Sequence, residues 1–220
     1  MRVLGVDGCR VGWVGVVLED DEEPVAMFAA SIGALAEATG PVAAIGIDIP
    51  IHLNDDADRP CDAAARKLIA PCGSRVFNAP VRDVLSAKTY DEALRISRQR
   101  CGKGISKQTW HLVPKIAEVE AWFVGAPCPV YEVFPEAAFG AMVGRVVAER
   151  KRSRDGEEIR RRALDAQGVA PPARLSGVGR DDLLDACAVA WSARRLAHGE
   201  GACVPDLPPI VRGHAQAIWY

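Results

Sequence analysis

Three short apolar runs open the chain. Residues 2–7 end their run on Asp7, Trp13 to Leu18 form a second, and Val25 to Ala30 a third. Gly8, Gly12 and Gly15 punctuate the first two, and the acidic pentapeptide Glu19 to Glu23 separates the second from the third. Such short connections predict three strands in an antiparallel meander. Ser31 is placed to cap a small helix running to about Ala38. Val42 to Ile49 is again apolar, interrupted only by Gly46 and Asp48. A strand that is apolar on both sides suits the centre of a sheet covered on both faces.

The pattern changes over residues 54–123. Helical periodicity appears near 61–69, 89–100 and 111–123, between loops rich in Gly, Pro and Arg. Pro127 to Val133 returns to strand character, and Pro135 suits the first position of a helix. Residues 145–162 are highly charged. Residues 163–180, with Pro171-Pro172 and three glycines, read as loop. Asp181 to His198, rich in Ala and Leu, predicts a helix, and the Pro-rich tail beyond Gly199 is expected to pack on the surface. The expectation is a single α/β domain over 1–220, with residues 54–123 as a helical insertion.

Composition narrows the class. The chain has 220 residues, 49% of them apolar and 25% charged, with a formal net charge of −2. At roughly 150 residues per domain this is one large domain or a domain with an insertion. The balance excludes a disordered chain, and near-neutrality argues against a sequence-blind nucleic-acid coat protein. No apolar run approaches the roughly 18 residues of a membrane helix, and the N-terminus reaches Asp7 and Arg10 too early for a signal peptide. Seven cysteines without a CxxC pair read as reduced thiols, so a cytoplasmic location is expected.

The candidate chemistry lies in acids at unexpected places. Leu4-Gly5-Val6-Asp7 and Ile45-Gly46-Ile47-Asp48 are both apolar–Gly–apolar–Asp. Residues two apart on a strand share a face, so each Asp has a glycine beside it, which is expected to leave open space there. Each Asp taken alone could simply end a strand and start a turn. Two such acids on neighbouring strands would repel one another unless a divalent cation compensates them. Asp182 and Asp185 lie three apart on one face of the last helix. Asp181 and Asp182 also suit its cap and first turn. Asp185 interrupts an apolar run. Glu132 sits in the strand at 127–133, and Glu136 in the first turn of the following helix, where the helix dipole favours an acid regardless of function. Asp7, Asp48, Asp182 and Asp185 are therefore candidate metal ligands, and Glu132 and Glu136 further candidate catalytic acids. The choices between Asp182 and Asp185, and between Glu132 and Glu136, stay open. An all-oxygen set suits Mg²⁺ or Mn²⁺. Two such ions about 4 Å apart hydrolyse phosphodiesters.

The predicted order is read as β-β-β-α-β-α-β-α, that of a ribonuclease-H-like mixed sheet, with a helical insertion. The sequence also resembles the bacterial and archaeal family catalogued as domain of unknown function number 429, described as predicted ribonuclease-H-like nucleases. The resemblance spans nearly the whole chain. It rests on Gly5-Val-Asp-Gly-Cys-Arg-Val-Gly-Trp13, Ile47-Asp-Ile-Pro50, Arg59-Pro-Cys-Asp62 with Ala65-Arg66, and Arg75-Val-Phe77 leading to Pro80 and Arg82. It continues through Ser106-Lys-Gln108, Lys115-Ile-Ala-Glu118, Glu132 with Pro135-Glu136, and Asp181-Asp-Leu-Leu-Asp-Ala186. It implies a ribonuclease-H-like fold with a helical insertion and acidic site residues at Asp7, Asp48, Glu132 or Glu136, and Asp182 or Asp185. One position departs from the pattern, since Phe134 stands where the family usually carries His.

Local charge is uneven. Arg95 to Lys115 holds six bases and no acid, and residues 145–162 hold eight bases against four acids. The second segment alternates in sign, as a solvated helix face does. Arg10, Arg59, Arg66, Arg75, Lys107 and Lys115 are candidate substrate-binding residues, with Arg82 a further guanidinium, and Trp110 could stack a base or simply fill the core. The leading expectation is a metal-dependent nuclease. The alternatives are a phosphohydrolase or ATPase-like enzyme on a small phosphorylated ligand, and a non-catalytic nucleic-acid-binding module. The chain lacks a second Gly-rich adenosine-binding segment and is too short for a sugar kinase or actin-like ATPase.

Overall fold

A computed structural model describes all residues, 1–220. The protein is a mixed α/β chain with a five-stranded sheet and seven α-helices. The meander forms as expected. It comprises β1 (Arg2–Cys9), β2 (Gly12–Glu19) and β3 (Val25–Ala29), each antiparallel to the next. Helix α1 (Ile32–Thr39) follows, with the Ser31 hydroxyl accepting from the Ala34 amide. Strand β4 (Ile45–Ile47) is parallel to β1, and β5 (Val130–Glu132) is parallel to β4. The sheet order is β3-β2-β1-β4-β5.

Three helices lie between β4 and β5, namely α2 (Pro60–Leu68), α3 (Tyr90–Cys101) and α4 (Lys107–Phe123). The expected insertion of 54–123 holds all three, but α4 covers the main sheet. Its Ile116 and Val119 pack with Leu4, Val6, Trp13 and Ile47. Parallel neighbours need a crossover connection, and α4 is the helix that lies against the sheet between β4 and β5. Glu118 of α4 accepts from the Trp13 indole at 3.1 Å and from the Ile32 amide at 2.7 Å, tying β2 and α1 to the crossover.

The opposite face carries α5 (Pro135–Val143), α6 (Arg154–Ala166) and α7 (Arg180–Ala197). Helix α6 continues into the stretch read as loop. Ser153 caps it, and Arg160, Ala163 and Leu164 are buried on one face, so the segment is not merely a solvated charge run. The tail is also more than surface packing. It forms β6 (Cys203–Val204), β7 (Ile210–Val211), β8 (His214–Ala215) and β9 (Ile218–Trp219), and Trp219 bridges in parallel to Val133 at the edge of the main sheet. No helix is long and apolar enough to cross a membrane, and all seven cysteines are free.

Helix α7 lies almost on the backbone of β1. A Cβ at residue 5 would sit 2.1 Å from the Ala190 nitrogen and 2.4 Å from the Ala186 oxygen. At residue 46 it would sit 2.8 Å from Val189 Cγ1. The glycines preceding the two aspartates therefore do not leave open space. They admit the helix. Replacing Gly5 with Ala is expected to cost about 1–3 kcal/mol or more through overpacking against backbone that cannot yield. Gly33→Ala in α1, where the new Cβ meets only Trp122 at 3.6 Å, serves as the control and should be neutral or slightly stabilising. Thermal melts of both variants test this, and equal melting temperatures would contradict the close contact.

Candidate metal centre

Strands β1, β4 and β5 are parallel, so their carboxyl ends share one edge of the sheet. The register pairs Gly5 with Gly46 and Val6 with Ile47, and the Asp48 amide donates to the Val6 carbonyl at 3.0 Å. Asp7 and Asp48 are thus lateral neighbours. Side chains alternate faces along a strand. Each Asp therefore points to the same face as the glycine two residues before it, the face on which α7 docks. Gly to Asp covers about 6.6 Å of strand. Val189, which rests over Gly46, lies four residues beyond Asp185, about 6 Å of helix. The matched spacings bring Asp185 down onto the two strand aspartates. Ligand oxygens of Asp7, Asp48 and Asp185 all lie within 4.8 Å of one another.

Asp7 and Asp185 are buried and Asp48 is half-buried. Burial, with mutual repulsion added to it, pushes Asp7 and Asp48 well above the usual carboxylate range. Burial likewise pushes Asp185 up to about 6, against the lowering pull of Lys151. The Lys151 ammonium donates to Asp185 Oδ2 at 2.7 Å and lies 3.8 Å from Asp181. Lys151 stood among the alternating charges before α6 in the sequence, where nothing separated it from its neighbours Arg150 and Arg152.

The other predicted acids are not part of this three-carboxylate group, although Glu132 and Glu136 line the same cleft. Asp182 lies in the first turn of α7, three residues before Asp185, and is not part of the three-carboxylate group, though its charge is felt by Asp7. Burial, and then Asp181, raise its pKa. Glu132 pairs in register with Ile47, not Asp48, and so points to the opposite face of the sheet. There it takes a bidentate pair from Arg59 at 2.6 and 2.7 Å and accepts from the Ile51 amide at 2.9 Å. Arg59 also bonds Asp62 at 2.5 Å. Glu132 is thus held by Arg59 and the Ile51 amide, and Arg59 keeps only its Nε without a partner. Glu136 is paired with the buried Arg160 at 2.7 Å, and Arg75 lies 3.4 Å away.

The expected substrate-binding bases are largely engaged too. Arg66 donates to the Val76 carbonyl and Asn78, and Arg75 to the carbonyls of Val147 and Ala148. Lys115 donates to the Gly12 carbonyl at 2.6 Å and covers the Trp13 ring. Arg82 pairs with Glu120, and Trp110 packs near Tyr90. Arg10, in the β1–β2 turn, and Lys107, at the start of α4, are exposed. Arg150 is exposed, lines the cleft beside Lys151 and makes no ion pair.

The aspartates open into a cleft of about 480 Å³. Arg75, Arg150 and Lys151 contribute cations to its walls, and Ile49, Phe77, Leu112 and Phe134 an apolar surface. A second depression of about 370 Å³ shares Ser74, Val76, Phe77 and Gln108 with the first and continues it along α3 and α4. Three carboxylates with no nitrogen or sulfur donor suit a hard cation held by oxygen. A family model described as protein of unknown function, DUF429, matches residues 5–210. The chain belongs to the DUF429 family. The match takes in all three aspartates and Lys151. No curated protein matches the chain by sequence.

Asp7, Asp48 and Asp185 bind protons more tightly in the folded chain than in the unfolded one. Their contribution to stability is therefore full below the ordinary carboxylate value of about 4 and is lost as pH rises through the raised values, about 6 for Asp185. In chelator-containing buffer, Asp48→Asn should melt higher than the parent at pH 8, by about 2–4 °C, with the advantage vanishing near pH 4. A difference independent of pH would contradict the coupling. Glu132→Gln should instead lower stability by roughly 1–3 kcal/mol, the scale of a lost hydrogen bond to a charged group. The Mn²⁺ affinity of the folded protein, read by calorimetry, should fall far less than in Asp48→Asn, because Glu132 acts on Asp48 only through its charge.

Proposed function

We propose that the protein is a metal-dependent phosphodiesterase acting on nucleic acid, built on a ribonuclease-H-like sheet. The observation that carries this reading is the convergence of Asp7, Asp48 and Asp185 to within 4.8 Å on two parallel strand ends and one helix. The sheet order β3-β2-β1-β4-β5, with an antiparallel meander followed by two parallel strands, supports the fold assignment. The donor set favours Mg²⁺ or Mn²⁺. When bound, such an ion supplies Lewis-acid stabilisation of the phosphate and a water acidic enough to attack it.

The chain's own residues do the rest. The three aspartates, two buried and Asp48 half-buried at the cleft wall, would accept the cation. Arg150 lines the cleft, is exposed and makes no ion pair, so its guanidinium is available for bidentate contact with a phosphate. Phe77, exposed between the two adjoining depressions, offers a face on which a base can stack. Continuity of the two depressions favours an extended strand over a single phosphate ester. The cleft at the aspartates is by itself the size of a small-ligand site, so a small phosphorylated substrate is the competing outcome.

The test is cleavage of single-stranded DNA, RNA and hybrid duplexes with Mn²⁺, alongside nucleoside phosphates. Asp48→Asn should lose more than about 100-fold in rate, because loss of an outer-sphere partner alone costs about 10–100-fold. Unchanged cleavage in that variant would sink the mechanism. Hydrolysis confined to the small phosphates would move the substrate class without moving the site.

A further inference from the structure

The centre holds a built-in cation. The segment before α6 carries Lys151 over the aspartates, and its backbone is fixed from several sides. Arg75 holds the carbonyls of Val147 and Ala148 at 2.7 and 2.5 Å. The Ser153 hydroxyl donates to the Arg150 carbonyl at 2.8 Å and caps α6 by accepting from the Gly156 amide. Arg152 pairs with Asp181 at 2.8 Å, just beyond the site on α7. Lys151 is therefore a positioned group rather than a loose surface lysine, and its ammonium bonds Asp185 at 2.7 Å while lining the same cleft as Asp7 and Asp48.

The neighbouring acids do not alter the charge balance. Asp181 is matched by Arg152, Glu136 by Arg160 and Glu132 by Arg59, while Asp62, which shares Arg59, and Asp182, which makes no ion pair, are offset in number by Arg75 and Arg150 on the cleft walls. Three ionised carboxylates less one ammonium leave two negative charges, enough for one divalent ion. A second ion in the same space would put its charge against an ammonium that already occupies one side of Asp185. That repulsion is strong where water is scarce.

We propose that Lys151 stands in for a second metal ion, so that the centre works with one divalent cation and one fixed ammonium, the latter donating to the substrate phosphate. The proposal rests on the metal-dependent reading above. It differs from the two-ion arrangement expected from the acids alone, and it assigns a substrate-contacting role to a residue outside the aspartates. Asp185 has two oxygens, so it can hold the ammonium on one and face the ion with the other.

Counting Mn²⁺ bound to the full chain, by titration calorimetry and by paramagnetic resonance of free Mn²⁺, tests this directly. The parent protein and Lys151→Arg should each bind one ion, and Lys151→Gln two. At limiting Mn²⁺ the Gln variant should lose about 10²–10³-fold in kcat, the cost of removing one preorganised donor. Millimolar Mn²⁺, filling the vacated position, should restore part of it. Two ions in the parent, or one ion in both the parent and Lys151→Gln, would overturn the role of Lys151 and leave the metal reading standing. No ion in either protein would overturn both.

Discussion

The backbone of α7 lies so close to β1 that no Cβ fits between them at residue 5, and the site depends on that contact. A helix packed on ordinary side chains stands about 10 Å from a sheet. Its acids then cannot reach acids on the strands without long side chains. Removing the Cβ at Gly5 and Gly46 lowers the helix onto the backbone, and a short Asp185 suffices. Short side chains have few rotamers, so the carboxylates are held by main-chain geometry. The same approach buries Leu183 through Ala193 along one helix. The helix that forms the largest part of the core thereby also sets the position of the third acid.

Concentrating three carboxylates at a buried edge is unfavourable, and the surroundings show how the charge is contained. Two closed ion networks flank the centre, Arg59 with Glu132 and Asp62, and Arg160 with Glu136. In each the guanidinium lies fully inside the protein. Buried pairs of this kind contribute little net stability compared with apolar packing, but they are costly to break. Their effect is to fix neighbouring loops. Arg59 holds Ile51, just after Asp48, and Arg160 holds Gly156 and Glu149, on either side of Lys151. The networks shape the walls of the cleft while leaving the three aspartates as its unbalanced charge.

Much of this was legible in the sequence, and the residues show why. Two identical Gly–apolar–Asp patterns identified the strand ends, because an acid in an apolar strand is an anomaly visible without coordinates. Asp185 was visible for the same reason on α7. The function of the glycines was not, since an absent side chain does not say what fills its place. The face that Glu132 takes was not legible, because it turns on one residue of register. On a strand that is the difference between the two faces of a sheet, and no local pattern sets the register of β4 against β5. Lys151 and Arg160 were hidden in a run of eight bases and four acids. A helical period there finds the buried face of α6, but Lys151 precedes the helix and is aimed by contacts with distant segments.

The basic residues show the same limit from the side of charge. A formal sum of −2 from 27 bases and 29 acids suggested two opposed patches, one acidic for metal and one basic for phosphate. The acidic patch is present, but it holds only three of the acids. The basic patch is thinner than its count, because Arg59, Arg66, Arg75, Arg82, Lys115 and Arg160 spend donors on protein carbonyls and carboxylates. A phosphate approaching the cleft would therefore meet one unpaired cation, Arg150, beside Lys151, which is paired with Asp185. Affinity for a polyanion grows with the number of phosphates neutralised. A surface with so few free cations holds a strand weakly along its length and strongly at one point. On the proposed function, such a distribution would suit an enzyme that must release its product, and it would reconcile a near-neutral chain with action on nucleic acid.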